Sequence, residues 1–181
     1  MKKFLILLIF MFSFFSKSSA SYTNLVYDYE FNSIEGGVIK LSDYKDKVIV
    51  IVNVASRCGY TPQYNDLQEL WSNYQAQNLV VIGVPTNNFK QEPGTNKEIK
   101  DFCEANFNIS FPMTEKVNVI GSQAHPFYKW AKKNHGISAI PKWNFHKIII
   151  GKNGKVYETF ASFTKPSSDK FLKVIKEAIK N

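Results

Sequence analysis

The chain is short of the residues from which most small redox and metal sites are built: 181 residues hold two cysteines and three histidines. Cys58 and Cys103 lie far apart, and Cys58-Gly-Tyr-Thr61 has no second thiol, so the Cys-x-x-Cys motif of a thioredoxin-type exchange enzyme is missing. No two Cys or His residues stand at metal-ligand spacing, so neither a metal nor any other cofactor is expected. His125, His135 and His146 are the only material for a Cys/His hydrolase, and the pattern puts none of them beside Cys58. Runs of arginine interleaved with aromatics are absent too, which argues against nucleic acid. The net charge of +8 rests on lysines that are scattered or alternate with acids, the composition of a solvated surface. There is no internal repeat and no low-complexity linker.

Long apolar runs are also missing. The longest, residues 4–15, is interrupted only by Ser13 and falls well short of the roughly 20 residues a membrane-spanning helix needs. Lys2 and Lys3 precede it and the small residues Ser18-Ser19-Ala20 follow it. That is the pattern of a secretory signal peptide cut after about Ala20, with export to the periplasm; the alternative is a retained anchor. Residues 21–181 then make one domain, in a chain whose hydrophobic share of 44% is ample for one core. Its two cysteines would sit in an oxidising compartment, where a structural disulfide is the plain alternative to a reactive thiol.

What is present is organised around Val48–Val54, a β-branched run with one polar interruption at Asn53. Such a run suits a central strand buried on both faces, and so calls for covering helices. It stops at Cys58, after which Thr61 reads as an N-cap and Pro62 as the first residue of a helix carrying Tyr64, Leu67, Leu70, Trp71 and Tyr74. A cysteine just before a helix N-terminus meets free N–H groups and the positive end of the dipole, and both favour an anion.

Residues 27–31 and 38–41 read as a hairpin around Gly36 and Gly37. A second apolar run, 79–84, ends at Pro85 and completes a βαβ unit. Parallel pairing therefore places the loop from Thr86 to Gly94 beside Cys58. Thr95 and Glu98 form a capping box for a helix with Ile99, Phe102, Cys103 and Phe107 on one face. Another helix starts near Pro126. Lys152-Asn153-Gly154-Lys155 predicts a type I′ hairpin between strands at 148–150 and 156–160, and a last helix follows from about Ser167. The fold class expected is α/β: a thioredoxin-like fold with a central mixed sheet flanked by helices and an N-terminal β-hairpin.

Asn53-Val-Ala-Ser-Arg-Cys58-Gly-Tyr-Thr61, Pro85-Thr-Asn-Asn-Phe-Lys-Gln-Glu-Pro-Gly94 and Trp143-Asn-Phe145 resemble, in matching order, the three signature stretches of the glutathione peroxidase family in its cysteine-containing bacterial form. The resemblance implies a peroxidatic Cys58, with Gln91, Trp143 and Asn144 as the other catalytic positions. It further implies that Cys103, in Asp101-Phe-Cys-Glu104, is a resolving cysteine like that of two-cysteine, thioredoxin-dependent members. The expected activity is reduction of hydrogen peroxide and organic or lipid hydroperoxides through a Cys58 sulfenic acid, with glutathione or a thioredoxin-like protein as reductant. Thr86, Asn88 and Lys90 depart from residues often found in the proline loop. The stretch before Trp143 lacks the long insertion of tetrameric members, so a monomer is expected. The competing reading is a non-enzymatic exported domain stapled by a permanent Cys58–Cys103 disulfide.

Overall fold

The computed structural model describes Tyr22 and residues 24–181. The expected signal peptide lies outside the described residues, and among those described no helix is long and apolar enough to cross a membrane. A four-stranded sheet in the order β4-β3-β5-β6 forms the centre. It consists of β3 (Val48–Val54), β4 (Leu79–Pro85), β5 (Lys147–Ile150) and β6 (Val156–Phe160). β3 pairs parallel with β4 and antiparallel with β5, so the sheet is mixed. A separate antiparallel ladder joins β1 (Glu30–Asn32) to β2 (Val38–Lys40).

All seven residues of β3 are buried, and strand alternation divides them between two cores. Val48, Val50, Val52 and Val54 pack with Tyr64, Leu67 and Leu70 of α1 (Gln63–Tyr74), Ile99 and Cys103 of α2 (Asn96–Phe107), and Phe171 and Ile175 of α4 (Asp169–Lys180). Ile49 and Ile51 face the other way, onto Phe127, Trp130 and Ala131 of α3 (Pro126–His135) and onto Phe31 and Ile39 of the hairpin. Each such aliphatic side chain contributes about 1.5–3 kcal/mol by leaving water, which is why an uninterrupted apolar run is stable only between two layers of cover.

Three local expectations need correcting. Residues 26–28 form a 3₁₀ turn and the first strand starts only at Glu30. The α1 N-cap is Pro62, not Thr61, and it makes no side-chain capping bond. The 151–155 connection is not type I′, because Gly154 (φ 72°) has a positive φ and Asn153 does not. Instead Gly154 N–H donates to the Gly151 carbonyl at 2.9 Å and Gly151 N–H to the Lys155 carbonyl at 3.0 Å, a type I turn closed by a glycine bulge. Residue 154 must also be a glycine for packing, since a Cβ there would lie 2.6 Å from the Tyr27 ring.

Lys147 is fully buried in β5. Its ammonium donates to Gln63 Oε1 and to the carbonyls of Thr164 (2.7 Å) and Ser162 (3.4 Å), tying the start of α1 to the β6–α4 connection. Burial pulls its pKa down from 10.5 to about 7, partly countered by the charge of Asp66. Because the folded value is depressed, this lysine's contribution is intact above the unfolded value and is lost as pH falls toward 7. Stability should therefore rise between about pH 7 and pH 10.5, and Lys147→Met should flatten that slope in urea titrations across the interval.

Candidate active site

In the parallel register Val54 lies opposite Pro85, so β3 and β4 end at the same edge and deliver two loops side by side. The loops are laced together. Thr86 N–H donates to the Val54 carbonyl (3.1 Å) and Arg57 N–H to the Gln91 carbonyl (3.0 Å). One oxygen of Glu92 accepts from both the backbone N–H (2.7 Å) and the hydroxyl (2.9 Å) of Ser56. Glu92 is itself buried, and burial raises its pKa despite those two bonds and the nearby charges of Lys116 and Arg57.

Cys58 is held within this frame by Thr61. The Thr61 hydroxyl accepts from Cys58 N–H (3.0 Å) and donates to the Ala55 carbonyl (2.8 Å), while Thr61 N–H donates to the Cys58 carbonyl (3.0 Å). Thr61 is thus spent on folding the cysteine loop rather than on capping α1. Tyr60 N–H points at Cys58 Sγ at 3.4 Å, an oriented donor to the sulfur. With 8% of its surface exposed, Cys58 meets solvent through a small opening.

The third segment arrives from the other side of β3. Asn53, the polar residue inside the apolar run, donates from Nδ2 to the Trp143 carbonyl (3.0 Å). Its backbone carbonyl accepts from Phe145 N–H (2.6 Å) and its N–H donates to the His146 carbonyl (3.3 Å). Phe145 sits at φ 63°, a conformation a bulky side chain adopts only when its surroundings enforce it. Here the enforcing contacts are the Asn53 clamp and an edge-on contact with Tyr64. The twist turns Asn144 inward, fully buried, with Nδ2 donating to Gln91 Oε1 at 2.9 Å. Trp143 remains 41% exposed, its ring 5.4 Å from that of Phe89.

The structure therefore joins Gln91 to Asn144, Gln91 to the residue before Cys58, and Trp143 to the Gln91 loop through Phe89. The proline-loop departures have local roles. Asn88 Oδ1 accepts from Val119 N–H (2.6 Å) and Thr86 Oγ1 (3.1 Å), and Lys90 occupies a left-handed conformation (φ 59°). Asn53 and Glu92 escaped the sequence reading as site residues; the signal for Asn53 was its isolation in an apolar strand. The histidines stand elsewhere. His125 caps α3 and stacks on Phe31, His135 ends that helix, and burial, reinforced by Lys147, pulls His146 down to about 4. Among the described residues no Cys, His, Asp and Glu group could hold a metal.

Cys103 lies in the same core as Cys58, 2% exposed, and both thiols are free. Burial pushes Cys103 up to about 11, with the Tyr64 hydroxyl beside it pulling the other way and the charges of Glu92 and Glu104 adding to the rise. That hydroxyl makes no hydrogen bond of normal geometry among the described residues.

The family model for glutathione peroxidase matches residues 26–132. A glutathione peroxidase-like peroxiredoxin 2 of Saccharomyces cerevisiae is 44% identical over 151 residues, spanning 81% of this chain and 93% of that protein. The chain belongs to the glutathione peroxidase family. As a member it is a thiol-dependent peroxidase with a thioredoxin-like fold. The glutathione peroxidase of Lactococcus lactis is 42% identical, with 77% of this chain and 91% of that protein aligned. The hydroperoxy fatty acid reductase gpx1 of Synechocystis is 40% identical, with 82% and 93% aligned. Among solved structures, the apo form of Trgpx superposes with a TM-score of 0.68 at 35% identity, covering 87% of this chain and 97% of that one. A thiol:disulfide interchange protein DsbE of Chlorobium tepidum (TM-score 0.60, 20% identity, 83% and 92% covered) shares the fold.

Proposed function

We propose that Cys58 is the peroxidatic residue of this peroxidase, that Gln91, Trp143 and Asn144 surround the reacting atoms, and that Cys103 resolves the oxidised intermediate. The observation that carries this reading is the Asn144 Nδ2 to Gln91 Oε1 hydrogen bond. It occupies the Gln91 carbonyl and leaves the Gln91 amide N–H₂ as a donor, on a loop bonded to Arg57 beside the cysteine. The Cys58 thiolate attacks one peroxide oxygen, the O–O bond breaks, and the departing oxygen leaves as water or an alcohol after taking a proton, giving Cys58–SOH. Neutral amide, indole and backbone N–H groups steady the charge that develops on sulfur and oxygen. Cys103 then displaces the sulfenic hydroxyl as water to form a disulfide, which two reducing equivalents from glutathione or a thioredoxin-like protein reopen. A thiol at about 11 is a poor nucleophile in its folded seat, so local opening of α2 precedes that attack. The reading extends to a monomer exported to the periplasm, on the short approach to Trp143 and the N-terminal sequence pattern.

Gln91→Ala and Trp143→Phe should each slow oxidation of Cys58 by hydrogen peroxide about 10-fold or more, the expected loss for one transition-state hydrogen bond. Stopped-flow fluorescence of reduced protein measures this. Unchanged rates in both variants would mean that the cysteine loop alone sets reactivity.

A further inference from the structure

A cavity of about 350 Å³ lies against α3, within the range of small-molecule sites. Val119, Ile120 and Ile140 give it apolar walls, Tyr128 lines it, and Lys129 and Lys132 border it. The Tyr128 hydroxyl is buried without a hydrogen-bond partner. Both lysines are exposed, and the ion pairs among the described residues involve neither. Three residues apart on a helix, they share a face. Lys132 in the last turn of α3 also complements the helix dipole, but that does not account for Lys129 a turn earlier or for the apolar hollow beneath the pair. The cavity is wired to the site. Val119 and Ile120 N–H groups both donate to Asn88 Oδ1, the next residue Phe89 packs on Trp143, and Pro141 in the cavity wall lies two positions before Trp143.

An apolar hollow rimmed by two unpaired ammonium groups complements an aliphatic chain ending in an anion. We infer that this cavity receives the chain of a long-chain fatty acid with its carboxylate at Lys129 and Lys132, so that free fatty acid hydroperoxides are directed to Cys58 in preference to their esters. The inference rests on the peroxidase reading for its catalytic part, while its binding part needs no turnover.

The test titrates the reduced protein with oleate and with methyl oleate, below micellar concentration, by calorimetry. Oleate should bind, methyl oleate more weakly, and Lys129→Met/Lys132→Met should weaken oleate about 10-fold, as the loss of two exposed ion pairs implies. Lys173→Met/Lys176→Met on α4 should leave binding unchanged. With linoleic acid hydroperoxide, kcat/KM should fall by a similar factor in the α3 double variant while hydrogen peroxide turnover stays constant. No oleate binding, or equal weakening by both lysine pairs, overturns the inference. Failure of the wild type to turn over hydrogen peroxide would count against the peroxidase reading instead, leaving the calorimetry to decide the cavity.

Discussion

Cys58→Ser should abolish peroxide reduction, with a fall on the order of 10³-fold or more in the rate of hydrogen peroxide consumption under saturating reductant. The contacts around Cys58 are directed at its sulfur and at the loop that carries it. Thr61 secures both backbone groups of Cys58, and Tyr60 N–H lies 3.4 Å from Sγ. A hydroxyl in the same seat keeps the loop but supplies no anion near neutral pH, so the donors have nothing to stabilise. The fold should survive, since serine is smaller than cysteine and the bonds that shape the loop involve Thr61, Arg57 and Ser56. Circular dichroism matching the wild type, with no peroxide consumed, is the expected pair of results.

The second large effect is at Cys103. Cys103→Ser should consume one equivalent of peroxide at the wild-type rate and then stop. The first step does not use Cys103, whereas without it Cys58–SOH has no intramolecular partner and is open to further oxidation. Steady-state turnover with a thioredoxin-type donor should drop by 10-fold or more, and Cys58 should accumulate as sulfinic and sulfonic acid, read by mass spectrometry. Burial raises this thiol to about 11. In the proposed cycle Cys103, buried in its helical seat, attacks only after α2 opens. The serine should cost little stability because its hydroxyl faces that of Tyr64, now unpartnered. A permanent staple would behave differently, its loss costing about 2–5 kcal/mol.

Features of this fold that depend on periodicity were readable from the chain. Val48–Val54 announced a strand covered on both faces, the Pro85 stop and the parallel βαβ arrangement placed the Gln91 loop beside Cys58, and Thr95 with Glu98 form the capping box that local chemistry requires. Features that depend on what a neighbouring segment demands were not. Thr61 has the side chain of an N-cap, but the carbonyl of Ala55 and the N–H of Cys58 compete for it and win. Lys152-Asn-Gly-Lys155 has type I′ chemistry, but the chain closes the longer loop from Gly151 to Lys155, with a positive φ at Gly154 and not at Asn153. The left-handed twist at Phe145 has no signature at all, since it is imposed by Asn53 and Tyr64. The same holds for the acceptors that let Lys147 sit inside the core.

In the proposed cycle one peroxide molecule oxidises Cys58, and Cys103 then closes a disulfide with it. The direct measurement is a thiol count with peptide mass spectrometry on fully reduced protein, before and after one equivalent of hydrogen peroxide without any reductant. Two free thiols are expected before and none after, with a single disulfide-linked pair of peptides containing Cys58 and Cys103. Two thiols still free after the peroxide is consumed, or a disulfide already present that resists mild reduction, would contradict it.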